Sequence, residues 1–159
     1  MIEPTDFRRV MGHFATGVCV VTCCREQGAP CGLTVSAVSS LSLDPVLLLV
    51  CVEKSASSHG WIARGGAFAV NVLAEDGAEL AARFAGGGAA GDRFGGVEWR
   101  TEQSGAPVLE NSLAWLDCRV SAALPGGDHT IFVGQVLAAG ARPGTPLVYY
   151  RGGFGSYQP

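Results

Sequence analysis

Hydroxyl-bearing residues flank a continuous apolar run, Val46 to Val52, in the middle of the chain. If the run is a strand, the two flanking segments meet at one end of it, where the second adds an ammonium group and the free N–H groups of a helix start. These groups bind a phosphate monoester, and the strand between them offers a surface to a flat ring. Alternatively, the serines only form turns and helix caps. The residues are Thr34, Ser36, Ser39 and Ser40 before the run, and Lys54, Ser55, Ser57 and Ser58 after it.

Three further sites in the chain, one to three residues long, each have both a structural and a functional interpretation. His129 follows Asp128 at the head of a strand-like segment, and it is either a hydrogen-bonded structural residue or a donor to a ring carbonyl or a nicotinamide amide. Arg83-Phe84 ends a helical segment, where the arginine is either a solvated cation or a ligand contact. Tyr149-Tyr150-Arg151 either packs in a strand or stacks on a cofactor.

The sequence contains no recognisable set of nucleophile, base and orienting residue. It has no GxSxG or HExxH motif and no GxGxxG after a strand, and its six cysteines form no CxxC pair. We therefore predict no metal site, no dinucleotide-binding βαβ unit and free, mostly buried thiols. Such a chain suits a reaction in which a cofactor carries the chemistry and the protein positions it.

Composition limits the class of protein. The length of 159 residues predicts one domain over residues 1–159, and the charged fraction is 16%, against about 25% in an average soluble protein. This deficit predicts that a partner subunit covers apolar surface. A net charge of −3 without a basic block argues against nucleic acid. We find no signal segment and no membrane-length apolar run, so we expect a cytoplasmic protein that does not enter the membrane.

Periodicity predicts many strands and few short helices. Phe7, Val10, Met11 and Phe14 form one helical face, and further helices are predicted near Ser58–Arg64 and Asp76–Ala85, before a Gly/Ala loop at 86–91. Hairpin connections between the strands favour an antiparallel barrel with helices at its ends. The strands are predicted at 18–24, 32–38, 46–52 (buried on both faces), 68–73, 113–124, 129–139 and 147–151.

Seven segments in order carry a resemblance to a known family. They are FRRVMGHFATGVCVVT (7–22), GLTVSAVSSLSLDPVLLLVCV (32–52), FAVNVL (68–73), RFAG (83–86), DRF (92–94), GDHTIFVGQV (127–136) and YYRGGFG (149–155). Through them the chain resembles the flavin reductases, the small components of two-component flavin-dependent monooxygenases. Cys19 and Cys31 depart from the family pattern, as does Val46 after Pro45, but none of them lies in the flavin motif.

The resemblance implies a mainly β fold, an antiparallel split β-barrel of Greek-key type with a few short flanking helices. It implies a homodimer that uses NADH or NADPH to reduce FMN or FAD and supplies a partner monooxygenase. It also implies that His129 is the catalytic residue near the nicotinamide and the flavin. The cofactor-binding residues that it implies are Thr34, Val35, Ser36, Ala37, Ser39, Ser40, Cys51, Val52, Glu53, Lys54, Ser55, Ser58, Arg83, Phe84, Tyr150 and Arg151.

Two alternatives stay open on the sequence. One is a flavin-dependent oxidase on the same fold that keeps its flavin and ignores NADH. The other is a non-catalytic flavin-binding or carrier subunit of an oxygenase. The GDHTIFVG segment favours the reductase, because a carrier has no need of a histidine that faces the nicotinamide.

Overall fold

Antiparallel strands are the main regular structure in a computed structural model, which describes residues 1–86 and 93–158. The strands are β1 (Thr16–Gly17), β2 (Cys19–Cys24), β3 (Pro30–Val35), β4 (Val38–Leu43), β5 (Val46–Glu53), β6 (Ala67–Val72), β7 (Trp99–Thr101), β8 (Pro107–Leu109), β9 (Ala114–Gly126), β10 (His129–Ala141), β11 (Leu147–Tyr150) and β12 (Gly153–Ser156). The helices are α1 (Pro4–Met11), α2 (His59–Gly65) and α3 (Ala78–Phe84), with a 3-10 turn at Glu26–Gly28. The prediction of a mainly β, antiparallel fold with few short helices is confirmed.

One seven-stranded sheet, in the order β3-β2-β6-β9-β10-β5-β4, forms the body of the fold. Its two edge strands, β3 and β4, are consecutive in the chain and are joined by only Ser36 and Ala37. Because a two-residue link cannot span the width of seven strands, the sheet must curl until its edges approach each other. The described strands do not close this curl with a hydrogen-bonded ladder between β3 and β4.

The interior of the curled sheet holds the main core. Val50, Val52, Phe68 and Phe132 are fully buried in it. The prediction that β5 is buried on both faces is wrong for this chain, because its side chains alternate: Leu48, Val50 and Val52 point inward, whereas the others are half-buried or exposed. Alternation is the usual pattern of an antiparallel strand with one face on the core.

The first helix lies on the surface with its apolar face uncovered. The predicted helix is present as α1, but none of its residues is buried. Phe7 and Val10 are each 54% exposed, and Phe14 just beyond the helix is 68% exposed. A helix of eight residues gains little stability from its own hydrogen bonds, so this apolar face is a site for further packing.

Most of the predicted elements are present, with shifted ends. The strand predicted at 32–38 is two strands, β3 and β4, because the chain bends at Ser36-Ala37. The short strands β1, β7, β8 and β12 were not predicted. The predicted Gly/Ala loop lies outside the described residues beyond Gly86, as does Asp92 of the DRF segment.

Candidate functional site

A cleft of about 550 Å³ lies where the link between β3 and β4 crosses the end of β5. Its floor is Cys51, and the head of β10 contributes His129. The lining residues are Leu33, Thr34, Val35, Ser36, Ala37, Cys51, Glu53, Ser55, Ala56, Ser57, Phe84, Ala85, Arg93 and His129. The volume is within the range of about 300–1,000 Å³ that is typical of small-molecule sites.

Strand pairing explains why distant segments meet in this cleft. Val38 pairs with Val50, and the Cys51 backbone N–H donates to the Ala37 carbonyl at 3.0 Å, which holds the 36–37 link over β5. Glu53 pairs with His129 across the β5–β10 ladder. The two hydroxyl-bearing segments predicted from the sequence therefore do converge at one end of β5.

His129 is fixed at the rim of the cleft by its neighbour. Its side chain is 41% exposed, and its Nδ1 lies 2.8 Å from Oδ1 of Asp128. The hydrogen bond with His129 lowers the pKa of the Asp128 carboxyl, so that carboxyl is ionised near neutral pH and can only accept. Nδ1 is therefore the protonated nitrogen, and in the neutral ring Nε2 is left as an acceptor.

Arg93 is the cation that lines the cleft. Its Nη1 donates to the Gly32 carbonyl at 3.1 Å, while its buried Nε has no hydrogen-bond partner among the described residues. A buried N–H without a partner is costly, and a bound anion would satisfy it. Arg93 was quoted in the DRF segment but was not predicted as a site residue, and Leu33, Ala56 and Ala85 were also missed. Ser57 was predicted only as one of the hydroxyl-bearing residues after the apolar run.

Arg83 lies away from this cleft. Its Nη1 donates to the Gly95 carbonyl at 2.9 Å and its Nη2 lies 3.4 Å from Glu79. It lines a separate cavity with Asp76 and Arg142. Of the predicted Arg83-Phe84 pair, only the Phe84 ring, 1% exposed, reaches the cleft wall.

A second, more apolar cavity of about 850 Å³ shares the 36–37 link and Cys51 with the cleft. Its walls are α1, Thr16 and the end of β11, and it contains the predicted residues Ser39 and Arg151. Tyr150 lies nearby, with its ring 6.3 Å from that of His13.

The remaining predicted residues are outside both cavities, and their roles stay predictions. Lys54 Nζ donates to the Gly127 carbonyl at 2.6 Å. Val52 is fully buried in the core, and Ser40 is exposed on β4. Ser58 lines a third cavity, of about 490 Å³, that also borders on Ser57 and Arg93.

Comparison with known proteins gives the family. Residues 11–158 match the family model described as "Flavin reductase like domain". The chain belongs to the flavin reductase family. The family prediction is confirmed, and with it the prediction that this chain is an enzyme.

Curated relatives and solved structures agree with this assignment. The chain is 45% identical, over 99% of its length and 83% of the other protein, to the reductase component of 4-nitrophenol 4-monooxygenase/4-nitrocatechol 2-monooxygenase from Rhodococcus opacus. It is 43% identical, over 96% and 85%, to the FMN reductase (NADH) SmoA of Agrobacterium fabrum. The NADH:FAD oxidoreductase SgcE6 of Streptomyces globisporus, solved with NAD and FAD fragments, superimposes with a TM-score of 0.90 at 37% identity, over 100% of this chain and 97% of that one.

Two further observations concern the described residues. No helix among them is long and apolar enough to cross a membrane. Their His, Cys, Asp and Glu side chains form no group of three or more that could hold a metal ion.

Proposed function

We propose that this flavin reductase transfers a hydride from NADH to FMN or FAD in the cleft over Cys51 and supplies the reduced flavin to a partner monooxygenase. The curated relatives named above support NADH as the donor and a monooxygenase as the recipient. The observation that carries the proposal is the cleft itself, in which hydroxyls, Arg93 and an apolar wall converge.

The residues present fit a flavin nucleotide. The unpartnered Nε of Arg93 and the exposed hydroxyl of Ser57 suit a phosphate-bearing tail, whereas the Ser55 hydroxyl donates to Glu53 Oε1 at 2.6 Å. Leu33 and Ala56, both half-buried, supply apolar surface for a flat ring. Because β3 and β4 are sheet edges, their outward backbone groups have no ladder partner among the described strands, and those not bonded to side chains can meet ring atoms. A flavin held by these residues would supply the hydride acceptor, and this chain's contribution would be orientation, which can lower a barrier by about 7–11 kcal/mol.

His129 orients the nicotinamide in this proposal. Its Nε2, left as an acceptor by the Asp128 contact, can accept from a carboxamide N–H at the cleft mouth. We expect His129→Ala to raise the KM for NADH about 5- to 10-fold, the equivalent of one net hydrogen bond, and to change the flavin KM less than twofold. His129→Gln, which keeps an acceptor, should recover part of the loss in steady-state assays. Unchanged kinetics in His129→Ala would remove this residue from the site.

The activity assay that tests the function is aerobic NADH and NADPH consumption with added FMN, FAD or riboflavin. Rapid NADH oxidation that depends on added flavin supports the reductase. Retention of flavin through gel filtration without NADH oxidation would support the oxidase, and flavin binding without any nicotinamide oxidation would support the carrier.

We further infer that the curled sheet is a split barrel and that two copies pair in the cytoplasm. The support for the barrel is the two-residue link that draws β3 to β4.

The support for the dimer is the uncovered apolar surface of α1 together with Leu43, 89% exposed, and Val46, 48% exposed, at the β4–β5 turn. Burial of this surface is worth about 25 cal/mol per Å².

The dimer is tested by a charge at the β4–β5 turn. We expect Leu43→Glu to shift the protein from dimer to monomer in light scattering, because an unpaired carboxylate would be buried at the contact. Ala82→Glu, which adds the same charge at an exposed position on α3, should remain dimeric. A wild-type chain that is monomeric at micromolar concentration would contradict the inference.

A further inference from the structure

A pair of thiols lies beside the flavin cleft and has no part in the proposed reaction. Cys23 on β2 and Cys31 on β3 are directly opposite each other in the antiparallel ladder. Their sulfur atoms are 2.9 Å apart, and both residues are buried, at 1% and 4% exposure. Directly paired residues on neighbouring strands have Cα atoms about 4.5–5.5 Å apart, within the range that a disulfide bridges.

The two sulfurs differ in character. The hydrogen bond from Cys23 lowers the pKa of the Cys31 thiol to about 7, and Arg25 adds to this effect, while burial opposes it. The same contact and burial raise the pKa of Cys23. Cys31 therefore supplies a thiolate near neutral pH, and Cys23 remains a thiol beside it. This division of roles is that of an attacking and a resolving cysteine.

None of the other cysteines combines a lowered thiol pKa with a second thiol in contact. Burial raises the pKa of Cys19 to about 11 and that of Cys118 to about 12, so both stay protonated. Burial, together with the charge of Cys31, also raises the pKa of Cys24. Cys51 lines the flavin cleft, and its partner across the β5–β10 ladder is Ile131 rather than a second cysteine. Oxidation should therefore be selective for the Cys23–Cys31 pair.

A small oxidant can reach Cys31. The third cavity, of about 490 Å³, is lined by Cys31, Arg25, Ser58 and Trp61, and it shares Ser57 and Arg93 with the flavin cleft. A peroxide molecule is far smaller than this cavity. Arginine side chains near the sulfur also favour the thiolate and its attack.

Gly32, the residue after Cys31 on β3, contacts two residues that line the flavin cleft. The Gly32 carbonyl accepts from Arg93, and a Cβ built on Gly32 would meet Phe84 Cε1 at 3.1 Å and the Val21 carbonyl at 2.8 Å. A side chain would therefore not fit at Gly32. A shift of the Cys31 backbone that accompanies formation of the S–S bond would reach Gly32 first, and through it Arg93 and Phe84, two walls of the cleft.

We propose that Cys23 and Cys31 form a reversible, peroxide-driven disulfide that weakens flavin binding. The Cys31 thiolate attacks hydrogen peroxide, which cleaves the O–O bond and gives a sulfenic acid and hydroxide. The Cys23 thiol then attacks that sulfur, forming the S–S bond with loss of water. In sum, two thiols and one peroxide give one disulfide and two waters, and a cellular dithiol reverses the reaction.

The source of the peroxide rests on the proposed function. Reduced flavin that escapes into aerobic solution passes two electrons to dioxygen and yields hydrogen peroxide. A reductase that outpaces its partner monooxygenase would thus generate the oxidant that lowers its own affinity for flavin. Disulfides of this transient, regulatory kind are the ones expected in a reducing compartment.

The first experiment maps the bond on the intact protein treated with a small excess of hydrogen peroxide. Trypsin cleaves after Arg25 and next after Lys54, so the two cysteines fall in separate peptides, Val10–Arg25 and Glu26–Lys54. We expect a Cys23–Cys31 crosslink by tandem mass spectrometry, a fall in free thiols from six to about four, and full reversal by dithiothreitol. Absence of this crosslink would overturn the proposal.

The second experiment measures the dissociation constant of FMN by fluorescence, without NADH. We expect an increase of about 3- to 10-fold after oxidation, reversed by reduction. Cys31→Ser and Cys23→Ala should show no such change, whereas Cys24→Ser, which alters the half-buried neighbouring thiol, should respond like wild type. A crosslinked protein with unchanged flavin affinity would overturn the proposed coupling.

A third measurement separates this proposal from the reductase function. During aerobic turnover with NADH and FMN, the crosslink should accumulate and catalase should suppress it. If the chain does not oxidise NADH, added peroxide still forms the crosslink and shifts flavin affinity, so that failure concerns the function alone. If turnover is rapid and added peroxide forms no crosslink, the redox proposal alone fails.

Discussion

Replacement of Arg93 by alanine should raise the dissociation constants of FMN and FAD about 10- to 100-fold and leave that of riboflavin within about twofold. Hydrogen bonds to charged groups contribute about 1.5–3 kcal/mol, and the buried Nε of Arg93 has no other partner among the described residues. Riboflavin has no phosphate, so its binding depends on the ring contacts alone. Isothermal titration with the three flavins measures the difference directly.

Three companion variants make the Arg93 result specific. Arg93→Lys keeps the charge but loses the forked donor geometry, and we expect an intermediate loss. Arg119→Ala removes an exposed arginine on β9 and should bind all three flavins normally. Arg83→Ala decides between the family resemblance, which predicts weaker flavin binding, and the geometry, which places this side chain on Gly95 and Glu79. Equal weakening of riboflavin and FMN by Arg93→Ala would contradict a phosphate contact.

Replacement of Asn71 by alanine should produce the largest loss of stability among the polar residues. Asn71 is fully buried, and its Nδ2 donates to the Val20 carbonyl at 3.0 Å and to Thr22 Oγ1 at 3.1 Å. Its Oδ1 accepts from the Leu109 backbone N–H at 2.8 Å. The variant would leave the Leu109 N–H buried without this acceptor and remove a donor from the Val20 carbonyl, at a cost of about 1–3 kcal/mol for each orphaned group before relaxation. Thr22 Oγ1 would keep its contact with the Ala69 carbonyl.

We expect a net loss of about 3 kcal/mol in the free energy of unfolding for Asn71→Ala. For a chain of this size that corresponds to a fall in Tm of about 6–12 °C, which calorimetry would detect. Asn111→Ala, a matched change at an exposed position, should lower Tm by less than about 2 °C. A Tm for Asn71→Ala close to that of wild type would show that water replaces the lost contacts.

The chain segments that form the cleft were predictable because they depend on local signals, although only part of the predicted residue set lines it. The apolar run at 46–52, the hydroxyls on either side of it and the Asp128-His129 pair are all visible in one dimension. Antiparallel pairing then has few ways to join neighbouring strands, so Ser36, Cys51 and His129 meet in one cleft. The family motifs pointed to the same residues.

The direction of each side chain was not predictable in the same way. Arg83 and Arg93 are both arginines beside the glycine-rich segment, yet one hydrogen-bonds Gly95 and the other Gly32. The cross-strand contact of Cys23 with Cys31 depends on the register of β2 against β3, and a slip of one residue would point them to opposite faces. Neither the arginine partners nor the cysteine contact can be inferred from the composition of the chain or the spacing of its residues.

The sequence alone determined the fold class, the family and the segments that form the cleft, because strand patterning and ordered motifs are properties of the chain. The tertiary structure decided which cation faces the cleft, which thiols touch and which apolar face of α1 is left uncovered. These depend on contacts between residues far apart in the chain, such as Gly32 with Arg93, and such contacts exist only once the sheet has curled.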